Sequence, residues 1–291
     1  MIVRYIGAVA SGMIAIMQPV KAAAAQPMTL KPISPWSIEQ SDDTCRLART
    51  FGTAEDPYLL RMRADAPGYK FDITLAGAEI SAFQNATERS ITYGSGAALP
   101  FTPMVRGALK TYGPAIVFFN EMTEKRRAYT DETEQPFPNP PLEAGVDRIG
   151  VAASNKRLVL ETGPIGAAMD AMRKCKDDVV RGWGLDPAVQ STLSRPVTPL
   201  NRAEVNALVA ANDPPAAVRA LGGIARVHIR LMVDAMGKPV DCTTWPTDQV
   251  PDFKVDACEI MLEKARYAAA LDANGVAVPS YFVTSLVFRV F

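Results

Sequence analysis

Polar and apolar residues alternate most clearly at two places in the chain. From Lys70 to Ala76, the side chains of Phe71, Ile73 and Leu75 fall on one side of an extended backbone. That period of two marks a strand with one buried face. From Arg226 to Val233 the alternation is cleaner, with Val227, Ile229, Leu231 and Val233 set against Arg226, His228, Arg230 and Met232. Shorter strand-like runs lie at Tyr58–Arg63, Ala115–Asn120 and Arg157–Glu161. The period then changes: Ile165, Ala168, Met169, Met172, Cys175 and Val179 recur at spacings of three and four. This predicts a helix with Pro164 near its first turn and Gly182-Trp183-Gly184 at its end. Two proline-rich stretches interrupt the pattern: residues 26–36 read as an extended lead-in and Glu132–Leu142 as a surface loop.

After Arg230 the elements come quickly. Asp234-Ala235-Met236-Gly237 has turn chemistry, so Pro239–Thr244 can return beside the preceding strand as a hairpin. A helix from about Val255 to Arg266 presents Val255, Cys258, Leu262 and Ala265 on its apolar stripe. Asn274-Gly275 turns the chain again. The last strand, Tyr281–Phe291, puts Phe282, Leu286, Phe288 and Val290 on one side. Strand, strand, helix, strand fits a small three-stranded sheet with the helix over one face. The expected fold class is therefore α+β. A β-rich N-terminal domain with one packed helix spans residues 34–187, and a ββαβ domain spans residues 218–291. Residues 188–217, bracketed by Ser194–Pro199 and Asp213-Pro214-Pro215, read as a linker holding one short helix, Arg202–Ala211.

Composition narrows the function. The chain has 291 residues, 31 basic and 31 acidic side chains, one His and four Cys. With 48% hydrophobic residues it can bury a core. A net charge of zero gives no electrostatic footprint for nucleic acid. Residues 1–25 start with Arg4, run through an apolar stretch and end in small residues, the layout of a secretory signal cleaved before Gln26. As a helix, Tyr5–Val20 would span ~24 Å, short of the ~30 Å hydrocarbon core; an uncleaved anchor is the alternative. Export permits disulfides among Cys45, Cys175, Cys242 and Cys258. Four cysteines allow three connectivities. Proximity favours Cys242–Cys258, whose short loop would contribute ~3 kcal/mol, and leaves Cys45–Cys175.

Candidate chemistry is sparse. His228 stands on the polar face of its strand, where a solvated imidazole is the ordinary state. Ser95 lies between two glycines but lacks the Gly-x-Ser-x-Gly spacing of a nucleophile elbow. Glu121–Arg127 is a mixed charge run that fits a solvated face. The acidic pairs Glu132/Glu134 and Asp177/Asp178 have no setting that would split their proton affinities. The cysteines carry no metal-ligand spacing. The expectation is a protein with no catalytic residues, no metal and no cofactor.

The C-terminal elements carry a resemblance. The strand Gly223–Val233, the turn Asp234–Val240, the helix around Asp256–Ala265, Arg266-Tyr267-Ala268-Ala269-Ala270, Asp272-Ala273-Asn274-Gly275 and the closing Val287-Phe288-Arg289-Val290 together resemble the C-terminal domain of TonB-family proteins. The family's arginine–aromatic–x–proline–alanine signature is present with Tyr267 as the aromatic and Ala269 in the proline's place. Cys45–Gly52 also looks like a segment of exported Gram-negative proteins that carry such a domain. The resemblance implies binding rather than catalysis, with an extended peptide from an outer-membrane receptor added to an open sheet edge. If the third strand packs beside the first, that edge is the strand containing Tyr281, Val283, Ser285, Val287 and Arg289. About six backbone hydrogen bonds at ~0.5–1.5 kcal/mol each, offset by ~4 kcal/mol or more of association entropy, would give weak, reversible capture.

The expected function is thus a periplasmic TonB-like adaptor that docks an outer-membrane TonB-dependent receptor or another envelope protein, with membrane contact only if residues 1–25 are uncleaved. An inner-membrane-anchored energy transducer is the first alternative. Residues 1–25 hold no His to touch proton-channel partners, and a compact domain stands where a long Pro-rich spacer would run. A periplasmic enzyme with its site in the N-terminal domain is the second.

Overall fold

The computed structural model describes residues 26–41, 43–64, 70–122, 140–154, 156–210, 223–245 and 257–290. The signal or anchor expected over residues 1–25, most of the loop expected over Glu132–Leu142, most of the charge run Glu121–Arg127, and Pro214-Pro215 lie outside the described residues. None of the described helices is long and apolar enough to cross a membrane. The fold is α+β and strand-rich.

The first part of the chain builds two sheets. The larger is formed by β2 (Ser37–Ser41), β3 (Thr44–Gly52), β4 (Pro57–Ala64), β5 (Lys70–Ala76), β8 (Pro103–Leu109) and β9 (Gly113–Glu121), antiparallel in the order β2-β3-β4-β5-β9-β8. The smaller is formed by β1 (Met28–Leu30), β6 (Arg89–Tyr93), β7 (Leu99–Pro100), β10 (Ile149–Ala153) and β11 (Lys156–Leu160), in the order β1-β11-β10-β6-β7. Their inner faces are set by alternation: Leu60 and Met62 on β4, Phe71, Ile73 and Leu75 on β5, Ile149 and Val151 on β10 all bury into one core. Helix α1 (Ile80–Asn85) adds Ile80 and Phe83 to it. A short helix α2 (Pro140–Ala144) precedes β10.

Helix α3 (Gly166–Gly182) closes this core along the stripe expected from the sequence. Ala168, Met169, Met172, Cys175 and Val179 are all buried, as is Ile165 just before the helix. The chain leaves α3 through Trp183 and a positive-φ Gly184 into the four-residue helix α4 (Pro187–Gln190), capped by Asp186 Oδ1 accepting from the Ala188 N–H at 2.9 Å. A disulfide joins Cys45 of β3 to Cys175 of α3, with Cα atoms 6.1 Å apart.

A second core follows. Strands β13 (Gly223–Val233), β14 (Pro239–Trp245) and β18 (Ser280–Val290) form an antiparallel sheet in the order β14-β13-β18. Ile229, Leu231 and Val233 of β13 point inward, against Ala257 and Met261 of helix α6 (Ala257–Lys264) and Ala265 just beyond it. The Cys242–Cys258 disulfide ties β14 to α6, Cα atoms 5.5 Å apart. This is the pairing that the shorter loop favours. The apolar face of α6 is rotated from the expected one. Met261 rather than Leu262 meets the sheet, and Leu262 is 37% exposed. The buried residues 257, 261 and 265 recur every fourth position, and Val255 lies outside the described residues.

Residues expected as a linker pack onto this second core. Strand β12 (Thr198–Pro199) pairs with β15 (Tyr267–Ala268), and the Leu271 N–H donates to the Arg195 carbonyl at 2.8 Å. Helix α5 (Arg202–Ala210) buries Val205 and Val209 against the core. Asn201 fixes the junction of the two helices: its Nδ2 donates to Lys264 O and its Oδ1 accepts from the Arg266 N–H, both at 2.9 Å. Pro199, one of the prolines that suggested a linker, instead ends β12, whose partner β15 lies some seventy residues away. A further two-residue ribbon, β16 (Ala270–Leu271) with β17 (Ala277–Val278), encloses the Asp272–Val276 turn.

The β13–β14 turn has one position only glycine fills. Gly237 has φ +82°, and a Cβ there would come within 2.2 Å of Tyr267 O. Gly237→Ala is expected to destabilise the second core by ~2 kcal/mol, read as a lower denaturation midpoint at unchanged slope; an unchanged midpoint would show that the turn relaxes around the methyl group.

Candidate functional site

Two features of the second sheet bear on function: its open edge and its polar face. The edge is β18. All eleven of its residues are in register with β13, from Ser280 opposite Val233 to Val290 opposite Gly223, and no other described strand pairs with β18. Every second residue of such a strand directs its N–H and C=O away from the sheet. Within the strand the expected edge residues Tyr281, Val283, Ser285, Val287 and Arg289 stand opposite Met232, Arg230, His228, Arg226 and Ile224.

The polar face of β13 is docked rather than solvated. His228 is only 6% exposed, with Nε2 3.5 Å from Asp72 Oδ2 of β5. Its expected solvated state is corrected by the packing of the first unit onto this face. Alternation shows that a strand has two faces, but not whether the polar one meets water or another polar surface. Two positions along, the Arg230 guanidinium lies 4.7 Å above the Trp183 ring and ion-pairs with Asp43 through Nη1. Its Nη2 donates to Thr243 Oγ1 at 2.9 Å and stands 3.7 Å from Asp241 Oδ2. Trp183 Nε1–H also donates to Asp43 Oδ1, at 2.6 Å. One aspartate in the β2–β3 turn thus fixes both the indole and the guanidinium.

The same indole meets Tyr281 edge-on, ring centroids 5.0 Å apart. Burial there pushes the Tyr281 hydroxyl pKa up. The ring of Tyr281 is therefore committed to the junction, so its contribution to an open edge comes through the backbone. A cleft of about 580 Å³ opens at this contact, lined by Gln40, Asp43, Asp178, Trp183, Arg230 and Asp241 among others. Its lining is polar and its charges are already paired in part, Asp178 with Arg181 and Asp43 with Arg230.

A second buried charge cluster sits inside the first unit. Lys176 of α3 is 5% exposed, with Nζ 4.7 Å from the Phe71 ring centroid. Burial, and then the Arg173 charge, lower its pKa to about 7, while Glu143 and Asp177 pull the other way. Glu143 is fully buried and accepts from Arg173 Nη1 at 2.6 Å. Nearby on the inner sheet face, the Tyr93 hydroxyl donates to Asn120 Oδ1 at 3.0 Å. Among the described residues no group of three or more His, Cys, Asp or Glu is placed to hold a metal ion, and no cysteine is free.

The structure brings the four expected cysteines together as two pairs and sets the five expected edge residues along one strand. Sequence reasoning missed Asp43, Trp183 and Arg230 as a connected set, and Asp72 and Gln190 as partners of His228 and Ser280. These five come from five separate elements and share no spacing. The one available signal was the row of cationic or titratable residues, Arg226, His228 and Arg230, on the polar face of so apolar a strand. Comparison of the chain with protein-family models, curated proteins and solved structures returns no match.

Proposed function

We propose that the protein is an exported binding adaptor of the periplasm, TonB-like in its C-terminal unit, that captures an extended segment of an outer-membrane receptor or another envelope protein by adding it to β18. The observation that carries this reading is the sheet order β14-β13-β18, which among the described strands leaves an eleven-residue strand paired on one side alone. Main-chain groups along such an edge supply affinity without demanding a particular sequence, and flanking side chains then select partners. Both disulfides fit the oxidising compartment that export provides. The resemblance of about Val218–Phe291 to TonB-family C-terminal domains supplies the class of partner.

The test uses proline at two successive positions of β18, Val283→Pro and Thr284→Pro. One of the two removes an N–H bonded to β13 and weakens the sheet; the other removes only an outward N–H. The outward variant should keep its thermal midpoint and lose at least ~tenfold in affinity for a fluorescein-labelled N-terminal segment of a TonB-dependent receptor, read by anisotropy. Undiminished binding by that variant would rule out capture at this edge.

A further inference from the structure

The start of β18 is gripped from outside its own sheet. Gln190, the last residue of α4, uses both ends of its amide there. Its Nε2 donates to the Pro279 carbonyl at 3.0 Å, and its Oε1 accepts from the Ser280 hydroxyl at 2.6 Å. The next residue, Tyr281, rests on Trp183. Trp183 in turn is held by Asp43 and lies under Arg230, which stands opposite Val283 in the β13–β18 ladder. Three consecutive residues at the entrance to the edge strand are thus tied to α3, α4 and the β2–β3 turn.

We infer that the first unit is a clamp that preorders the entrance to β18. Its consequence for affinity rests on the reading of β18 as the capture strand. The receiving slot is braced within the first unit itself. The Cys45–Cys175 disulfide joins β3 to α3, two residues after Asp43 and two helical turns before Trp183, so the acidic and aromatic walls for Arg230 are set by a covalent bond. Docking then removes conformational freedom from Pro279–Tyr281 in advance. An incoming strand meets an edge that is already extended, and the entropy of ordering it is not charged again on binding. By linkage, a captured strand must tighten the clamp by the same factor that the clamp tightens capture.

The experiment uses the full chain with Trp36 and Trp245 replaced by Phe, leaving Trp183 as the only one of three tryptophans. Into it are placed Asp43→Asn, which strips the charge holding Trp183 and Arg230, and Gln190→Ala, which leaves that pair intact and frees only Pro279 and Ser280. Readouts are Trp183 emission and quenching, amide hydrogen exchange, and anisotropy with the labelled receptor segment. Asp43→Asn should red-shift Trp183 and open it to quencher; Gln190→Ala should not. Both should speed exchange over Ser280–Thr284 by ~tenfold or more, with β4 and β5 amides still protected as evidence of an intact fold. Both should weaken capture by a similar factor.

Exchange at Ser280–Thr284 that stays slow in both variants overturns the clamp, as does Trp183 emission unmoved by Asp43→Asn. Accelerated exchange in both variants, in a chain that captures no receptor segment, supports the clamp and removes the capture reading alone. Accelerated exchange with capture undiminished overturns the coupling between them.

Discussion

Replacing Cys45 and Cys175 by alanine is expected to lower the stability of the first unit by about 5 kcal/mol, and replacing Cys242 and Cys258 that of the second by about 3 kcal/mol. The two bridges differ chiefly in the loops they close. Cys45 and Cys175 are 130 positions apart, and every strand from β4 to β11 lies between them. Cys242 and Cys258 are 16 apart. In the chain-entropy picture the unfolded ensemble loses freedom with the logarithm of loop length, so the longer loop is worth more although both bridges are chemically alike. Position adds to the contrast. Cys45 and Cys175 belong to the large core, whereas Cys242 and Cys258 are half-buried at the rim of the small one, so truncation in the first case also leaves unfilled volume. Urea unfolding of each paired variant, followed by far-UV circular dichroism, checks the ordering. A larger loss from the Cys242–Cys258 pair would mean that native-state strain or residual unfolded structure, not loop closure, governs these bridges.

The parts of the fold legible in the sequence are those in which one face is apolar and the other is not. Strand β5 was readable to its ends because Phe71, Ile73 and Leu75 alternate with Asp72 and Thr74. Helix α3 was readable because its buried residues keep helical spacing over four turns. Strand β10, Ile149-Gly150-Val151-Ala152-Ala153, carries small residues on both faces and gave no period. Strand β8 begins at a proline and passes through Gly107, signals that argue for a loop although an edge strand tolerates both. The β12–β15 pairing joins two-residue segments that local pattern cannot connect. In α6, Leu262 and Met261 are adjacent apolar residues, and hydrophobicity alone cannot rank them; Met261 shares the buried face with Ala257 and Ala265, each four positions away.

The candidate site follows the same division. The edge strand was visible, because a hairpin, a covering helix and a last strand leave few topologies. The junction was not. Arg230 and Asp43 are separated by 187 positions, and an aspartate in a turn looks like turn chemistry whatever it binds. Trp183 served in the sequence as a helix terminator between two glycines, which it is; that it also carries Arg230 and Tyr281 depends on the second unit sitting where it does.

Lys176 should make the stability of the first unit depend on pH in a direction opposite to that of a salt-bridged lysine. In the folded protein its pKa is lowered from 10.5 to about 7, first by burial and then by Arg173. Between those two values the unfolded chain binds the proton and the folded one does not. Unfolding therefore takes up a proton there, and stability rises with pH by up to ~1.4 kcal/mol per unit. Below about pH 7 both states are protonated, and the penalty for holding a charged amine among Phe71 and its neighbours is present in full. The observable is the difference in unfolding free energy between the native sequence and Lys176→Met, which keeps the length of the side chain and removes the charge. Groups far from α3 titrate alike in both proteins and cancel. From about pH 7 to about pH 10 that difference should shift toward the native sequence by several kcal/mol, and below about pH 7 it should flatten. A difference that stayed level across the alkaline range would show that the amine keeps its proton in the fold. Glu143, whose charge opposes the effects of burial and Arg173, would then dominate the cluster.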